Sequence, residues 1–472
     1  MYFNSYIFIL FFLPLAVAGY LFLQRKGWKR AAAYYMIGMT LWFCGYGNPW
    51  NAVIFALLIL VNYAFVQRII SAQNGKKQLN KKKLWLWIGI LLDVVILTGF
   101  KLSGKLPLGI SFYTFQLISY LVDSYRGKCE GQTFLEYLQY MCFFPRFLQG
   151  PIVLQEEFIP ELRNKENQKL SYENLSRGLY GFSLGLGKKV LLADSLAKLV
   201  NEGYANVSTL NSSEALLIMV AYALQLYFDF SGYCDMASGV ATMLKIKLPL
   251  NFNSPYKAAS NSEFWDRWHM TLTRFFTKYV YIPLGGNRKG KMRTLINIML
   301  VFLLSGFWHG TNWTFLLWGA LHGLVMIFER VTGYEEWKLP HAFKVSWNFV
   351  FQVFAWSIFR AESIPQVIQL WTRLFTGEFH KIDSQITSVF NDAIEIRILV
   401  RMKLLPFLTA HPGVPAIAMV GILLAACLWM RNTSEKVEQM KWSGWKMVVT
   451  AGLLFWSILS LADITQFIYV NF

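Results

Sequence analysis

Charge is the first thing missing from this chain. Only 15% of its 472 residues are Asp, Glu, Lys or Arg, where a soluble globular protein carries about 25%, so there are too few charges to cover a water-facing surface of this size. Acid is scarcer than base, with 27 Asp and Glu against 45 Lys and Arg. Cysteine is equally uninformative. The five cysteines are odd in number and contain no CxxC pair, and Cys44, Cys142, Cys234 and Cys427 lie inside apolar stretches. Neither a disulfide framework nor a zinc site is indicated. There is no HExxH, and two histidines forty positions apart, His269 and His309, without a nearby acidic ligand make a poor metal site. No metal is expected.

What the chain has instead is apolar sequence, 55% hydrophobic overall. Long runs recur throughout, from Tyr6 to Leu23, Ala31 to Cys44, Leu84 to Phe100, Ala215 to Phe228, Ile296 to Leu304 and Met447 to Leu461. Each is near or somewhat below the roughly 20 residues that span a hydrocarbon core. The expected fold is all-α and polytopic, with about ten to twelve transmembrane or re-entrant helices. The first run has no basic region before it and no small-residue cleavage site after it, so it reads as a membrane segment and not a removable leader.

The net charge of +18 raises the question of a nucleic-acid partner. Its Lys and Arg residues fall in short stretches between apolar runs and form no amphipathic basic face, which excludes that partner class. They read as topology signals and contacts to anionic lipid. Arg25, Lys26, Lys29 and Arg30 put the first loop in the cytoplasm; Lys76, Lys77, Lys81, Lys82 and Lys83, and then Arg288, Lys289, Lys291 and Arg293, mark further cytoplasmic loops.

A single membrane-embedded domain over residues 1–472 is the simplest organisation. Residues 155–177 and 376–403 are of mixed polarity and read as exposed loops with short surface helices. No matching halves are visible, which disfavours an inverted-repeat carrier.

In a bilayer the informative residues are the polar ones, because an ionisable group in hydrocarbon costs several kcal/mol unless it is paired or meets water. Three groups stand out. In Ser305-Gly306-Phe307-Trp308-His309-Gly310, a helix from about Thr294 to Phe307 would rise only ~20 Å. A break from Gly306 to Asn312 then falls within the membrane, which places His309 where non-helical backbone needs burial or a watery cavity. In the second group, Asn251-Phe252-Asn253 precedes a helix on which Trp265, Trp268, His269 and Leu272 share a face; a catalytic role for His269 and an anchoring role stand level. The third, Tyr227 to Met236, carries Asp229 and Asp235, which read first as partners of a cation or a backbone donor. Gly185-Leu186-Gly187-Lys188-Lys189 lacks the spacing of a phosphate loop and reads as a glycine-smoothed packing face meeting a basic helix end. His322, His341, His380 and His411 have no supporting context.

The blocks Leu106 to Phe115, Phe144-Pro145-Arg146-Phe147-Leu148-Gln149-Gly150-Pro151-Ile152, Tyr227 to Met236, Asn251 to Tyr256, Phe264 to His269, Tyr281 to Arg288 and Trp308-His309-Gly310 resemble, in order and spacing, the membrane-bound O-acyltransferase superfamily. The branch resembled is the bacterial alginate O-acetyltransferase-like one. The motif-bearing core covers about residues 100–325, with the opening Phe3-Asn4-Ser5-Tyr6 also similar. The resemblance implies a ring of helices around a central tunnel. It implies His309 as the catalytic residue and His269 as a second important histidine, with Asn251, Trp308, Trp268, Asp229 and Asp235 as supporting candidates. It also implies acetyl transfer across the membrane for O-acetylation of an exported or cell-surface polysaccharide. An extracytoplasmic partner protein would complete the transfer in a bacterial inner or plasma membrane.

Chemically, a neutral imidazole with a pKa of about 6.5 is suited to take the acceptor's proton. The expectation is that His309 is the general base and that no cofactor is bound. The thioester donor, foremost acetyl-CoA, is a co-substrate arriving from the cytoplasm. The residues leave open whether the acyl group passes through the imidazole. The alternatives are the sister branch's D-alanyl transfer to teichoic acid, a non-enzymatic transporter or flippase, and a scaffold for a secreted acetylase.

Overall fold

The computed structural model describes residues 1–71, 76–164, 171–379, 382, 413–461, 467 and 468, and among them the only regular structure is helical. With no water in hydrocarbon to satisfy backbone groups, helices are the form an apolar chain of this kind can take. In order, they are α1 Leu13–Arg25, α2 Lys29–Gly45, α3 Pro49–Ser71, α4 Lys76–Ser103, α5 Ile110–Tyr125, α6 Phe134–Met141 and α7 Gln155–Arg163. Then come α8 Tyr172–Gly187, α9 Asp194–Ala205, α10 Ser212–Met243, α11 Asn261–Arg267, α12 Met270–Phe276, α13 Lys291–His309 and α14 Trp313–Thr332. The last are α15 His341–Arg360, α16 Ile364–Thr376, α17 Val414–Trp429, α18 Thr433–Glu438 and α19 Gly444–Leu459.

Among the described residues six segments are long and apolar enough to cross a membrane: Phe8–Arg25, Pro49–Ser71, Leu79–Ser103, Ser212–Met243, Lys291–His309 and Trp313–Thr332. Val414–Trp429 and Gly444–Leu459 are shorter apolar helices, and together the eight fall below the expected ten to twelve. The basic run beginning at Lys76 opens helix α4 instead of forming a loop. Residues 383–403 of the expected second loop, and His380 and His411, lie outside the described residues.

The core sits around α10. Its most apolar window is 89% buried, against 17% for that of Leu79–Ser103, so α10 is an internal post while α4 turns Leu91, Val95 and Leu102 outward, as a lipid-facing helix does. Helices α8, α9, α15, α16 and α17 pack on the post. The contact with α8 is backbone to backbone. A Cβ on Gly178 would stand 2.5 Å from the Gly239 carbonyl oxygen, and one on Gly185 would stand 2.6 Å from that of Gly232. These small residues let two antiparallel helices touch, and the GLGKK stretch is the packing face its composition suggests.

Residues 143–154 are buried without being a membrane-length helix, and neighbouring side chains satisfy their backbone. Tyr140 Oη donates to the Val153 carbonyl, Tyr233 Oη takes Leu148 N–H and donates to the Pro145 carbonyl, and Thr271 Oγ1 takes Ile152 N–H. Irregular backbone at depth is tolerated only under such protection. Phe3, from the opening segment, is stacked between Phe8 and Tyr233 at 4.3 and 5.0 Å.

Candidate active site

His309 is the last helical residue of α13, and the helix runs further than expected. Its 19 residues span about 28 Å, close to a full core thickness of ~30 Å, and the break begins at Gly310. Gly306 does not break the helix because its role is packing: a Cβ there would lie 2.4 Å from the Phe315 carbonyl oxygen on α14. The His309 imidazole is 2% exposed and packed edge-to-face against Trp308, Trp318 and Phe359, at 4.7, 5.2 and 5.0 Å.

His269 departs from expectation in a different way. Trp265, Trp268 and His269 do not share one continuous helix face, because the helix is cut between α11 and α12 at His269, whose φ of 44° and ψ of 47° are left-handed. Such a conformation in a non-glycine residue costs on the order of 1–3 kcal/mol and persists only where its surroundings impose it. Here residues 251–253 impose it by taking over the hydrogen bonds of the interrupted turn. Asn253 N–H donates to the Arg267 carbonyl, and Met270 N–H donates to the Asn251 carbonyl.

The Asn251 side chain completes the clamp. Its Oδ1 accepts from Thr271 N–H at 3.2 Å and from Thr271 Oγ1 at 2.8 Å, and it lies 3.1 Å from His269 Nδ1. An atom that takes a backbone N–H is an acceptor, so His269 Nδ1 must carry a proton. In the neutral ring Nε2 is then a bare lone pair. That nitrogen is buried and has no partner among the described residues.

Phe112 of α5 stands between the two centres, its ring 6.4 Å from that of His269 and 5.6 Å from that of Trp308. Phe230 closes on His269 at 4.7 Å. The indole nitrogens of Trp308 and Trp318 also have no partner among the described residues. The result is an aromatic cluster in which a few polar atoms have no partner among the described residues.

The other sequence candidates are placed as follows. Trp268 packs between Phe252 and Trp356, at 5.0 and 4.8 Å, and serves as apolar wall. Asp229 is bound by Lys189 at 2.7 Å and accepts Ile468 N–H, while Asp235 is bound by Lys188 at 2.6 Å. Both acids therefore tie α10 to the segment Lys188–Ala193.

Two residues escaped the sequence reading. His322 is fully buried, its ring 4.9 Å from Trp318, with Nδ1 3.1 Å from Asn261 Oδ1 and 3.3 Å from Trp265 Nε1. Glu329, about two turns further along α14, caps α11 through Asn261 N–H and Ser262 N–H. The helix after His309 is thus bolted to the helix before His269. The second residue is Lys101, whose ammonium donates to the Trp308 carbonyl. A lone cation ending an apolar run was the available signal for it.

A cavity of about 630 Å³ is lined by Cys234 and Asn251, by Arg177, Lys245 and Lys247, and by Glu161, Asp235, Glu435 and Glu438 among others. Cys234 Sγ accepts from Asn251 Nδ2 at 3.2 Å, so the cavity wall includes the residue that clamps His269. A smaller cavity, lined by Gln24, Lys29 and Arg30 with Leu244, shares Glu161 and Ile246 with it. Among the described residues no group of three or more His, Cys, Asp or Glu could hold a metal ion.

Residues 97–364 match the membrane-bound O-acyltransferase family. The chain is 33% identical to the peptidoglycan O-acetyltransferase of Helicobacter pylori, over 100% of this chain and 97% of that protein. It is 32% identical to a probable alginate O-acetylase of Pseudomonas putida over 80% of each chain. A teichoic acid D-alanyltransferase of Streptococcus thermophilus is 30% identical over 47% of this chain and 56% of its own.

Proposed function

Because the chain belongs to the membrane-bound O-acyltransferase family, we propose that it carries acetyl groups from a cytoplasmic thioester to the outer side of a bacterial inner or plasma membrane, for O-acetylation of a cell-envelope polysaccharide. One observation carries the reading. Two buried histidines lie on either side of one cluster of aromatic rings, and a cavity is lined in part by Asn251, the residue that holds one of them.

The donor is a thioester, foremost acetyl-CoA, arriving from the cytoplasmic side. His309 takes the proton of the acceptor hydroxyl, the hydroxyl oxygen bonds to the acyl carbon, the C–S bond breaks, and the leaving thiolate recovers the proton. General-base help of this kind is worth ~10²- to 10⁴-fold. The bare Nε2 of His269 accepts a hydrogen bond from the hydroxyl and so orients it, and the aromatic rings exclude water that would hydrolyse the donor. The first acceptor is a hydroxyl reached from the outer side, on the polymer itself or on an extracytoplasmic partner protein that completes the transfer.

Peptidoglycan is the foremost polymer, because the likeness to the peptidoglycan O-acetyltransferase runs the length of the chain, whereas the alginate relative covers 80% of it. The test is base-released acetate, with mass spectrometry of envelope polymers, from cells carrying the protein or His309→Ala at equal membrane levels. Loss of the ester in the variant is expected. An ester content equal to that of the unmodified protein removes the proposal.

A further inference from the structure

The end of α13 has a second constraint besides its aromatic neighbours. The last four carbonyls of any helix have no partner within it. Here Gly310 N–H returns to the Gly306 carbonyl at 3.3 Å, while the Trp308 carbonyl is taken from outside by Lys101 Nζ. The same ammonium lies 5.6 Å over the Trp308 indole. Lys188 and Lys189 are each clamped by aspartate, whereas Lys101 has no carboxylate partner among the described residues. Its one anchor is the peptide group immediately before His309.

Each helix begins in a basic cluster, α4 at Lys76 and α13 at Lys291, and Lys101 and His309 lie at their C-terminal ends. A cation at a helix C-terminus meets the negative end of the helix dipole, and the indole face adds a second attraction for the ammonium. A lysine placed there for solubility or topology would sit at the basic face, not at this end.

Resting on the acyl-transfer reading above, we propose that Lys101 is a positioning residue. It holds the last turn of α13 by the Trp308 carbonyl, and thereby sets the direction of the His309 imidazole. It acts through the backbone and need not touch substrate. Loss of this hold lets the last turn fray and His309 drift. A misplacement of the order of 1 Å at a reacting group costs roughly 10²-fold.

The test uses the full chain in inverted membrane vesicles given labelled acetyl-CoA, with protein amount set by blot. Lys101→Met is expected to lower the turnover rate by roughly 10²-fold while the KM for acetyl-CoA stays within twofold, since Lys101 acts through the backbone. Lys101→Cys is expected to be equally slow and to regain most of its rate when alkylated with 2-bromoethylamine. That reagent rebuilds a lysine-length ammonium in protein that is already folded. Combining Lys101→Met with His309→Ala is expected to cost nothing beyond His309→Ala alone. Wild-type turnover by Lys101→Met, failure of alkylation to restore the rate, or full additivity of the two changes each overturns the inference. If wild-type vesicles show no His309-dependent transfer at all, it is the acyl-transfer reading that fails.

Discussion

The two histidine segments are built on opposite plans. His269 stands in a break made of hydrogen bonds, with a left-handed backbone imposed by residues 251–253 and one amide oxygen serving three donors. His309 ends an unbroken helix and is held by ring faces and one lysine. The first plan fixes a tautomer and leaves one nitrogen open to a ligand. The second fixes a position in apolar surroundings while leaving the ring's chemistry less constrained. Orientation of a reactant suits the former, and proton exchange during a reaction suits the latter.

The largest expected effect separates the histidines themselves. His309→Ala should lower ester formation by ~10²- to 10⁴-fold, and His269→Ala by less, as read by base-released acetate at matched protein levels. Equal losses would erase the division of labour. Next comes Asn251→Ala, which strips three donors of their acceptor. At ~1 kcal/mol per hydrogen bond, and more where buried groups are left bare, it should cost a few kcal/mol locally and bring activity down to that of His269→Ala. Asn251→Asp, which keeps the oxygen, should recover part of it.

A smaller effect probes the apolar plan. Gly306→Leu drives a side chain into the Phe315 backbone, and overpacking of this kind costs about 1–3 kcal/mol. The melting temperature in detergent should fall, with activity lost in step. The smallest belongs to neither plan and serves as the reference. The Arg163 guanidinium, hydrogen-bonded to Glu136 far from both histidines, holds that carboxyl below its ordinary range. A depressed carboxylate contributes stability above about pH 4.3 and loses it as pH falls through the lowered value. Arg163 is 52% exposed, so the pair is worth under about 1 kcal/mol. Arg163→Gln should shift melting slightly at pH 7 and not at all near pH 3.

The membrane class and the helical fold were legible in the sequence because they rest on composition and on order along the chain, and the same order made the two histidines candidates. What was not legible depends on tertiary neighbours. Gly306 reads as a break because glycine disfavours helix, yet the approach of α14 makes it a contact. The cut at His269 is invisible in a Trp-rich helical period, since its cause lies eighteen residues upstream at Asn251. Asp229 and Asp235 read as partners of a cation, but which cation depends on the segment after α8, which brings Lys189 and Lys188 to them. Lys101 was overlooked because its partner is a peptide carbonyl two hundred residues away.

The paired glycines of α8 and α10 bear on how traffic through the protein is organised. Contacts at Gly178 with Gly239 and at Gly185 with Gly232 act as two dowels seven residues apart, and a body so pinned can neither slide nor roll on its neighbour. A carrier that rocks α8 against α10 would have to part those backbones on every cycle, whereas reactants moving through a fixed scaffold would leave them in contact.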